Sequence, residues 1–139
     1  MKDVINVKWT GDMAFEAAIE EYRLLFDARP ESGGKNTGPR PKPLLMASLA
    51  GCTGMDVVSI LKKMKINFTG FNVRAEGTLT EEHPKHFTAI HLIYEFIGEN
   101  IPIDKVKHAI ELSQDKYCGV SATLKKALPI TYEITISNS

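Results

Sequence analysis

The stretch PRPKPLLMASLAGCTGMDVVSILKKMKI, residues 39–66, decides the fold of this chain. Its prolines lead into a long apolar run that has almost no polar face before Lys62. Because a surface helix shows a single apolar stripe and a helix that is apolar all round is buried, we predict a central helix buried on every side. Cys52 lies between Gly51 and Gly54, and each glycine costs roughly 1 kcal/mol against alanine in a helix interior. This composition indicates close packing or a thiol that must stay accessible.

The composition predicts one soluble domain over residues 1–139. The 17 basic and 17 acidic side chains cancel, so we expect no nucleic acid partner. A chain of this length buries about two thirds of its unfolded surface, and it requires no disulfide or metal for stability. The apolar helix contains Asp56 and ends in lysines, and the first residues do not resemble a secretory signal. We therefore expect no membrane partner and a cytoplasmic location.

Alternating side chains and turn residues around the central helix predict an α+β fold. We expect Asp104 to be the N-cap of a second helix, which falters where Gly119 follows Cys118. The strands after the central helix contain no proline, which suits the interior of a sheet. The predicted elements in chain order are three strands within 4–28 with turns at 11–12 and 20–21, a mobile loop over 29–42, the central helix, strands over 68–80 and 87–98, the second helix from 102, a further helical segment within 120–127 and a strand over 130–137.

The two cysteines are the residues in this sequence that are best able to carry out chemistry. Cys118 follows Cys52 by 66 residues, which excludes a CxxC motif and a four-cysteine zinc site. Free cysteine often only packs in a core, while two thiols brought together in the fold form a redox pair. The histidines are not at spacings typical of zinc ligands, so we expect no metal. The residues alone leave inert packing and redox chemistry both open.

Two longer motifs carry a resemblance to a known family. PLLMASLAGCTGMDVVSILKK (43–63) and LSQDKYCGVSATLKKALPITYEI (112–134) resemble the OsmC/Ohr family of thiol-dependent hydroperoxide reductases, and most of all its small YhfA-like branch. The resemblance covers essentially the whole chain. It implies an OsmC-like fold, in which antiparallel sheets wrap around two long central helices and two subunits intertwine as a homodimer.

The resemblance also implies a reaction. Cys52 attacks an organic hydroperoxide and becomes a sulfenic acid, Cys118 condenses with it to a disulfide, and a lipoyl-type dithiol reduces the pair. No cofactor is implied. The apolar surroundings of Cys52 favour an alkyl or aryl hydroperoxide over hydrogen peroxide. The residues expected to line the substrate pocket are Leu49, Met55, Asp56 and Tyr117.

The chain departs from the family pattern at two positions. Peroxidases of the family carry a glutamate nine residues before the first cysteine, where this chain has Pro43, and an arginine on an N-terminal strand, where this chain offers Met13 or a neighbour. Arg29 and Arg40, both in the loop before the central helix, are the possible thiolate-stabilising substitutes. A buried thiol without a nearby cation ionises less readily and reacts slowly.

Three functions therefore stay open. The first is a two-cysteine hydroperoxide reductase, which the two cysteine motifs favour. The second is a protein on the same fold that binds a small hydrophobic ligand or senses redox state through weakly reactive cysteines, which Pro43 favours. The third is a structural or interaction role in which the cysteines are inert.

Overall fold

The three strands predicted near the N-terminus form a small sheet. In the computed structural model, which describes residues Met1–Asn138, these strands are β1 (Asn6–Gly11), β2 (Ala14–Ile19) and β3 (Tyr22–Phe26). They pair antiparallel in the order β1-β2-β3. The second turn lacks glycine, and Glu20 takes the left-handed conformation there with φ 54°. The chain divides into an N-terminal unit, Met1–Leu45, and a C-terminal unit from Met46 onward.

The segment after β3 is held by the buried carboxylate of Asp27. Asp27 accepts hydrogen bonds from the amides of Ala28, Lys35 and Thr37 and from the Thr37 hydroxyl, the last at 2.6 Å. The Thr37 hydroxyl and amide are the main reasons why the pKa of Asp27 is lowered from 3.8 to about 2, against the opposing effect of burial. One carboxylate thus organises the segment that leads to the central helix.

Replacing Asp27 with asparagine is expected to remove part of the acid sensitivity of folding. Because the folded pKa lies below the usual 3.8, the ionised carboxylate stabilises the fold fully above that pH, and the stabilisation is lost as the pH falls toward 2. Urea unfolding at several pH values should show the free-energy difference between wild type and Asp27→Asn shrinking over this interval. The exposed Glu31 provides the control Glu31→Gln, which should parallel wild type. An Asp27→Asn variant with the full wild-type pH dependence would contradict this role.

The central helix, α1, spans Pro41–Lys63 and is buried along one stripe only. Pro41 and Pro43 fit its first turn, because the amides of that turn have no intrahelical acceptor to lose. The buried residues are Leu49, Thr53, Val57 and Leu61. The expectation of a helix buried on every side is therefore wrong for the single chain. The buried residues recur every four positions, so only one face of the helix packs against the core. Met55, on another face, is 76% exposed. By length and composition α1 also meets the criterion for a membrane span, as core helices of soluble proteins do.

A second, mixed sheet lies in the C-terminal unit. It consists of β4 (Gly70–Leu79), β5 (Phe87–Ile97) and β6 (Ile130–Ser137) in that order, so β5 is interior as predicted and β4 lies at an edge. The β4–β5 pair is antiparallel, but β5 and β6 are parallel, unlike the antiparallel sheets that the resemblance implies. The helical connection from β5 to β6 explains the difference, because parallel neighbours require a long crossover.

The second predicted helix is broken into three pieces. It begins as α2 (Ile103–Leu112), continues through a π-helical turn over Ser113–Tyr117, and resumes after Cys118 as α3 (Gly119–Leu124). The prediction that Asp104 is the N-cap is wrong: Pro102 holds that position, and Asp104 lies in the first turn, where its charge suits the helix dipole. Buried residues of α1, α2 and β5 form one core, which includes Leu61, Tyr94 and Ile110.

Candidate thiol site

The fold of the C-terminal unit brings the two cysteines together. Cys52 lies in the middle of α1, and Cys118 lies at the break between the π-helical turn and α3. The two sulfur atoms and one carboxylate oxygen of Asp56 all lie within 4.8 Å of one another. Both cysteines are free thiols; Cys52 is half-buried and Cys118 is only 3% exposed. Asp56 follows Cys52 by one helical turn, which explains why both face the same neighbour.

The interruption of the second helix positions Cys118. Its amide donates to the Ser113 carbonyl at 2.7 Å, which closes the π-helical turn, and its own backbone is extended. The Ser121 amide then donates to the Cys118 sulfur at 3.3 Å. Single π-helical turns inside helices are frequent at functional sites because they redirect one side chain. The break that the sequence predicts where Gly119 follows Cys118 is thus the feature that orients the second thiol.

The buried position of Cys118 makes this thiol difficult to ionise. Burial raises the pKa of Cys118 to about 11, and the nearby Cys52 and Asp56 add to this rise, while the hydrogen bond from the Ser121 amide opposes it. At neutral pH Cys118 therefore keeps its proton. It is suited to react as a thiol with an already oxidised partner rather than as the first nucleophile.

A buried network of hydrogen bonds joins the two helices beneath the thiols. Thr53 Oγ1 lies 2.8 Å from both the Tyr94 hydroxyl and the Ser113 Oγ. The Gln114 side-chain amide donates to Thr53 and to Tyr94, and the Ser121 hydroxyl donates to the Gln114 carbonyl at 2.7 Å. Each polar side chain of this network therefore has a partner, as a stable core requires.

The network has a definite direction that ends at Asp56. Ser113 Oγ donates its single proton to Asp56 Oδ2 at 2.8 Å, so it must accept from Thr53. Thr53 then has no proton left, and the Tyr94 hydroxyl must donate to it. Burial raises the pKa of Tyr94 to about 12, so this proton stays in place at neutral pH. The chain of donors therefore runs from Tyr94 through Thr53 and Ser113 to the Asp56 carboxylate beside the two sulfurs.

Two concave surfaces adjoin this part of α1. A cavity of about 480 Å³ is lined by Asp56, Ser59, Ile60, Lys63, Met64, Leu112 and Tyr117. A more open groove of about 710 Å³ follows the next face of the helix and includes Gly54, Met55 and Phe71. Of the four residues expected to line a substrate pocket, Asp56 and Tyr117 border the cavity, Met55 borders the groove, and Leu49 is fully buried in the core. Their role toward a substrate stays a prediction.

The two arginines expected near the thiols belong to the N-terminal unit. Arg29 is exposed and precedes the short helical turn Pro30–Ser32, and Arg40 donates a hydrogen bond to Asn36. Pro43 lies in the first turn of α1, where the family pattern places a glutamate. The thiolate-stabilising role of Arg29 and Arg40 therefore stays a prediction.

Sequence reasoning missed the polar residues that support the site. Thr53 follows Cys52 directly, and Ser113, Gln114 and Ser121 flank Cys118 within the motifs quoted above. Polar side chains within otherwise apolar helical stretches were the available signal, because buried polar groups need partners and often find one another. Their partners lie on different elements, so the pairing itself depends on the tertiary fold.

Comparison with known proteins gives the same picture of the fold. The family model described as OsmC-like protein matches residues 33–133. Protein YhfA of Escherichia coli K12 is 33% identical over 132 residues, which cover 94% of this chain and 96% of that protein.

Solved structures of other proteins also superpose on this chain. An OsmC-like protein from Mycoplasma pneumoniae superposes with a TM-score of 0.82 at 20% identity, over 99% of this chain and 98% of the other. The organic hydroperoxide resistance protein OhrB of Bacillus subtilis does so with a TM-score of 0.65 at 16% identity, over 96% and 98%. The family match and the extent of the similarity to YhfA show that this chain belongs to the OsmC-like protein family.

Proposed function

We propose that this protein is a thiol-dependent reductase of organic hydroperoxides, with Cys52 and Cys118 as its redox pair. The observation that carries the proposal is the placement of two free thiols within 4.8 Å of one another by separate helical elements. OhrB of Bacillus subtilis, which shares the fold of this chain, is named an organic hydroperoxide resistance protein, and that name supports the same chemistry.

In the first step Cys52 acts as the nucleophile. Its thiolate attacks one oxygen of the hydroperoxide, a sulfur–oxygen bond forms, and the oxygen–oxygen bond breaks. The departing alkoxide takes a proton from solvent and leaves as the alcohol, while Cys52 becomes a sulfenic acid. Cys52 suits this role better than Cys118, because Cys118 is the more deeply buried of the two.

In the second step Cys118 resolves the sulfenic acid. The Cys118 sulfur bonds to the Cys52 sulfur, and the sulfenic hydroxyl leaves as water with the thiol proton of Cys118. A dithiol of the lipoyl type then reduces the disulfide by thiol–disulfide exchange and is itself oxidised to a cyclic disulfide. The cycle therefore consumes one hydroperoxide and one dithiol and uses no resident cofactor.

The cavity beside Asp56 favours hydroperoxides with an apolar body. Ile60, Met64, Leu112 and Tyr117 supply most of its apolar wall. With dihydrolipoamide as reductant, we expect kcat/KM for cumene hydroperoxide to exceed that for hydrogen peroxide by about tenfold or more, because apolar contacts exist only with the former. A coupled assay of hydroperoxide consumption measures both values. Equal kcat/KM values for the two substrates would contradict the assigned substrate class.

A second candidate is a protein that binds a hydrophobic ligand or senses redox state. The observation in its favour is Pro43, which occupies the first turn of α1 where the family pattern has a glutamate and can neither accept a proton nor carry charge. In this case the thiols oxidise once but do not turn over with dithiol. The same assay separates the two functions by the number of hydroperoxide molecules consumed per protein chain.

We further propose a cytoplasmic homodimer. Large apolar side chains are exposed on the single chain, among them Trp9 at 61%, Tyr22 at 66% and Met55 at 76%. Exposed apolar surface of this kind marks protein contacts. Light scattering that gives the monomer mass of 15.4 kDa at micromolar concentration would contradict the dimer.

A further inference from the structure

We propose that the reduced side chains of Cys52, Cys118 and Asp56 together bind one zinc-class divalent ion. Their three donor atoms already lie within 4.8 Å of one another. In a tetrahedral zinc site, bonds of about 2.0–2.3 Å place neighbouring donors roughly 3.3–3.8 Å apart. Small rotations of the three side chains therefore suffice to close the site around an ion.

The donor types select the class of metal. Two thiolates and one carboxylate suit a borderline-soft ion such as Zn²⁺, whereas Mg²⁺ and Ca²⁺ require oxygen ligands throughout. Cys52 and Asp56 are four residues apart on α1, the spacing that places two ligands on one face of a helix. Cys118 approaches from a different element, so the three donors come from two fixed directions. The sequence-based expectation of no metal rested on histidines and four-cysteine motifs, and it did not consider this mixed set.

Hydrogen bonds outside the donor set hold two of the ligands. Ser113 Oγ donates to Asp56 Oδ2 at 2.8 Å, and this contact leaves the other carboxylate oxygen available for an ion. The Ser121 amide donates to the Cys118 sulfur at 3.3 Å, an orientation that favours a thiolate. Such outer contacts orient metal ligands and are a regular part of metal sites.

A divalent ion also balances the charge of these donors, because it displaces the thiol protons when it binds. Two thiolates and one carboxylate around a divalent ion carry a net single negative charge. Within the C-terminal unit, as far as Asn138, Asp56 forms no salt bridge that would supply the positive charge otherwise. The bound ion supplies this positive charge.

The site has room for a fourth ligand. Zinc with three protein ligands keeps an open position for water, and Asp56 borders the 480 Å³ cavity through which water can enter. The ion and the disulfide compete for the same two sulfurs. On the proposed function, oxidation therefore releases the ion: both thiolates give up one electron each to form the disulfide, and one organic hydroperoxide with two protons becomes alcohol and water.

The test is a metal titration of the full-length reduced protein under anaerobic conditions. Zn²⁺ is added in competition with a chromophoric chelator, and Co²⁺ in separate samples reports thiolate ligation through its charge-transfer absorption. We expect one ion per wild-type chain with this absorption. Cys52→Ser and Cys118→Ser should each weaken Zn²⁺ binding by about 100-fold or more, and Asp56→Asn by about tenfold or more. Asp115→Asn, a change at an exposed carboxylate in the adjacent π-helical turn, should bind as wild type does.

Two results would overturn the proposal. One is wild-type protein that shows no thiolate-to-cobalt absorption, a measurement that depends on no variant. The other is a folded Asp56→Asn protein, verified by circular dichroism, that binds Zn²⁺ as tightly as wild type. Hydroperoxide oxidation is assayed separately on metal-free protein, so that failure of the metal site is distinguishable from failure of the redox function.

Discussion

Replacing Cys52 with serine is expected to lower the rate of cumene hydroperoxide reduction by at least about 10³-fold, or about 4 kcal/mol in activation free energy. The serine hydroxyl has nearly the same shape but is a far weaker nucleophile, and Cys118 cannot replace it because burial raises the pKa of Cys118 to about 11. The measurement is hydroperoxide consumption with dihydrolipoamide under steady-state conditions.

The control is Cys118→Ser, which separates the two steps of the reaction. This variant should consume one equivalent of hydroperoxide per chain and then stop, with a sulfenic acid on Cys52 that a dimedone-type reagent traps. The reverse outcome, in which Cys52→Ser keeps the single turnover and Cys118→Ser loses it, would reverse the assigned roles of the two cysteines.

Replacing Thr53 with valine is expected to lower the free energy of unfolding by about 2–3 kcal/mol. Valine has the shape of threonine, so the packing of α1 is kept. The Tyr94 hydroxyl loses the acceptor for its proton, and Ser113 loses the donor that orients it toward Asp56. Leaving buried polar groups without partners costs more than the hydrogen bonds contribute when they are made. Urea denaturation followed by tryptophan fluorescence and circular dichroism measures the change.

The matched control is Thr123→Val in α3. Thr123 is exposed, and its hydroxyl only donates to the Gly119 carbonyl one turn earlier, so this change should stay within about 0.5 kcal/mol of wild type. If Thr53→Val is as stable as Thr123→Val, the buried network does not support the site in the way described.

Local patterns in the sequence predicted most of the secondary structure. Alternation located the strands of both sheets, and the proline-to-lysine apolar run located α1, because these signals depend on neighbouring residues only. The resemblance of the motifs at Cys52 and Cys118 indicated that the two thiols belong to one site, and the family match supports the fold that this requires. The break around Cys118 was also visible, since glycine follows it directly.

Features that depend on contacts between distant elements were not predictable. The parallel pairing of β6 with β5 follows from the path of the crossover, and the single buried stripe of α1 follows from which face meets the core. For Asp56, the sequence predicts only a position in the wall of a substrate pocket. Its contact with Ser113, and the network through Thr53 that leads to it, join elements more than 50 residues apart in the chain. No local periodicity encodes such a pairing.

The most direct test of the redox pair is the mass of wild-type protein after one equivalent of cumene hydroperoxide, measured without added dithiol. We expect a chain that has lost two hydrogen atoms, with peptide mapping that joins Cys52 to Cys118 within a single chain. The chain has only these two cysteines, so the mapping is unambiguous. Protein that keeps two alkylatable thiols, or that forms only disulfides between chains, would contradict a redox pair of Cys52 and Cys118.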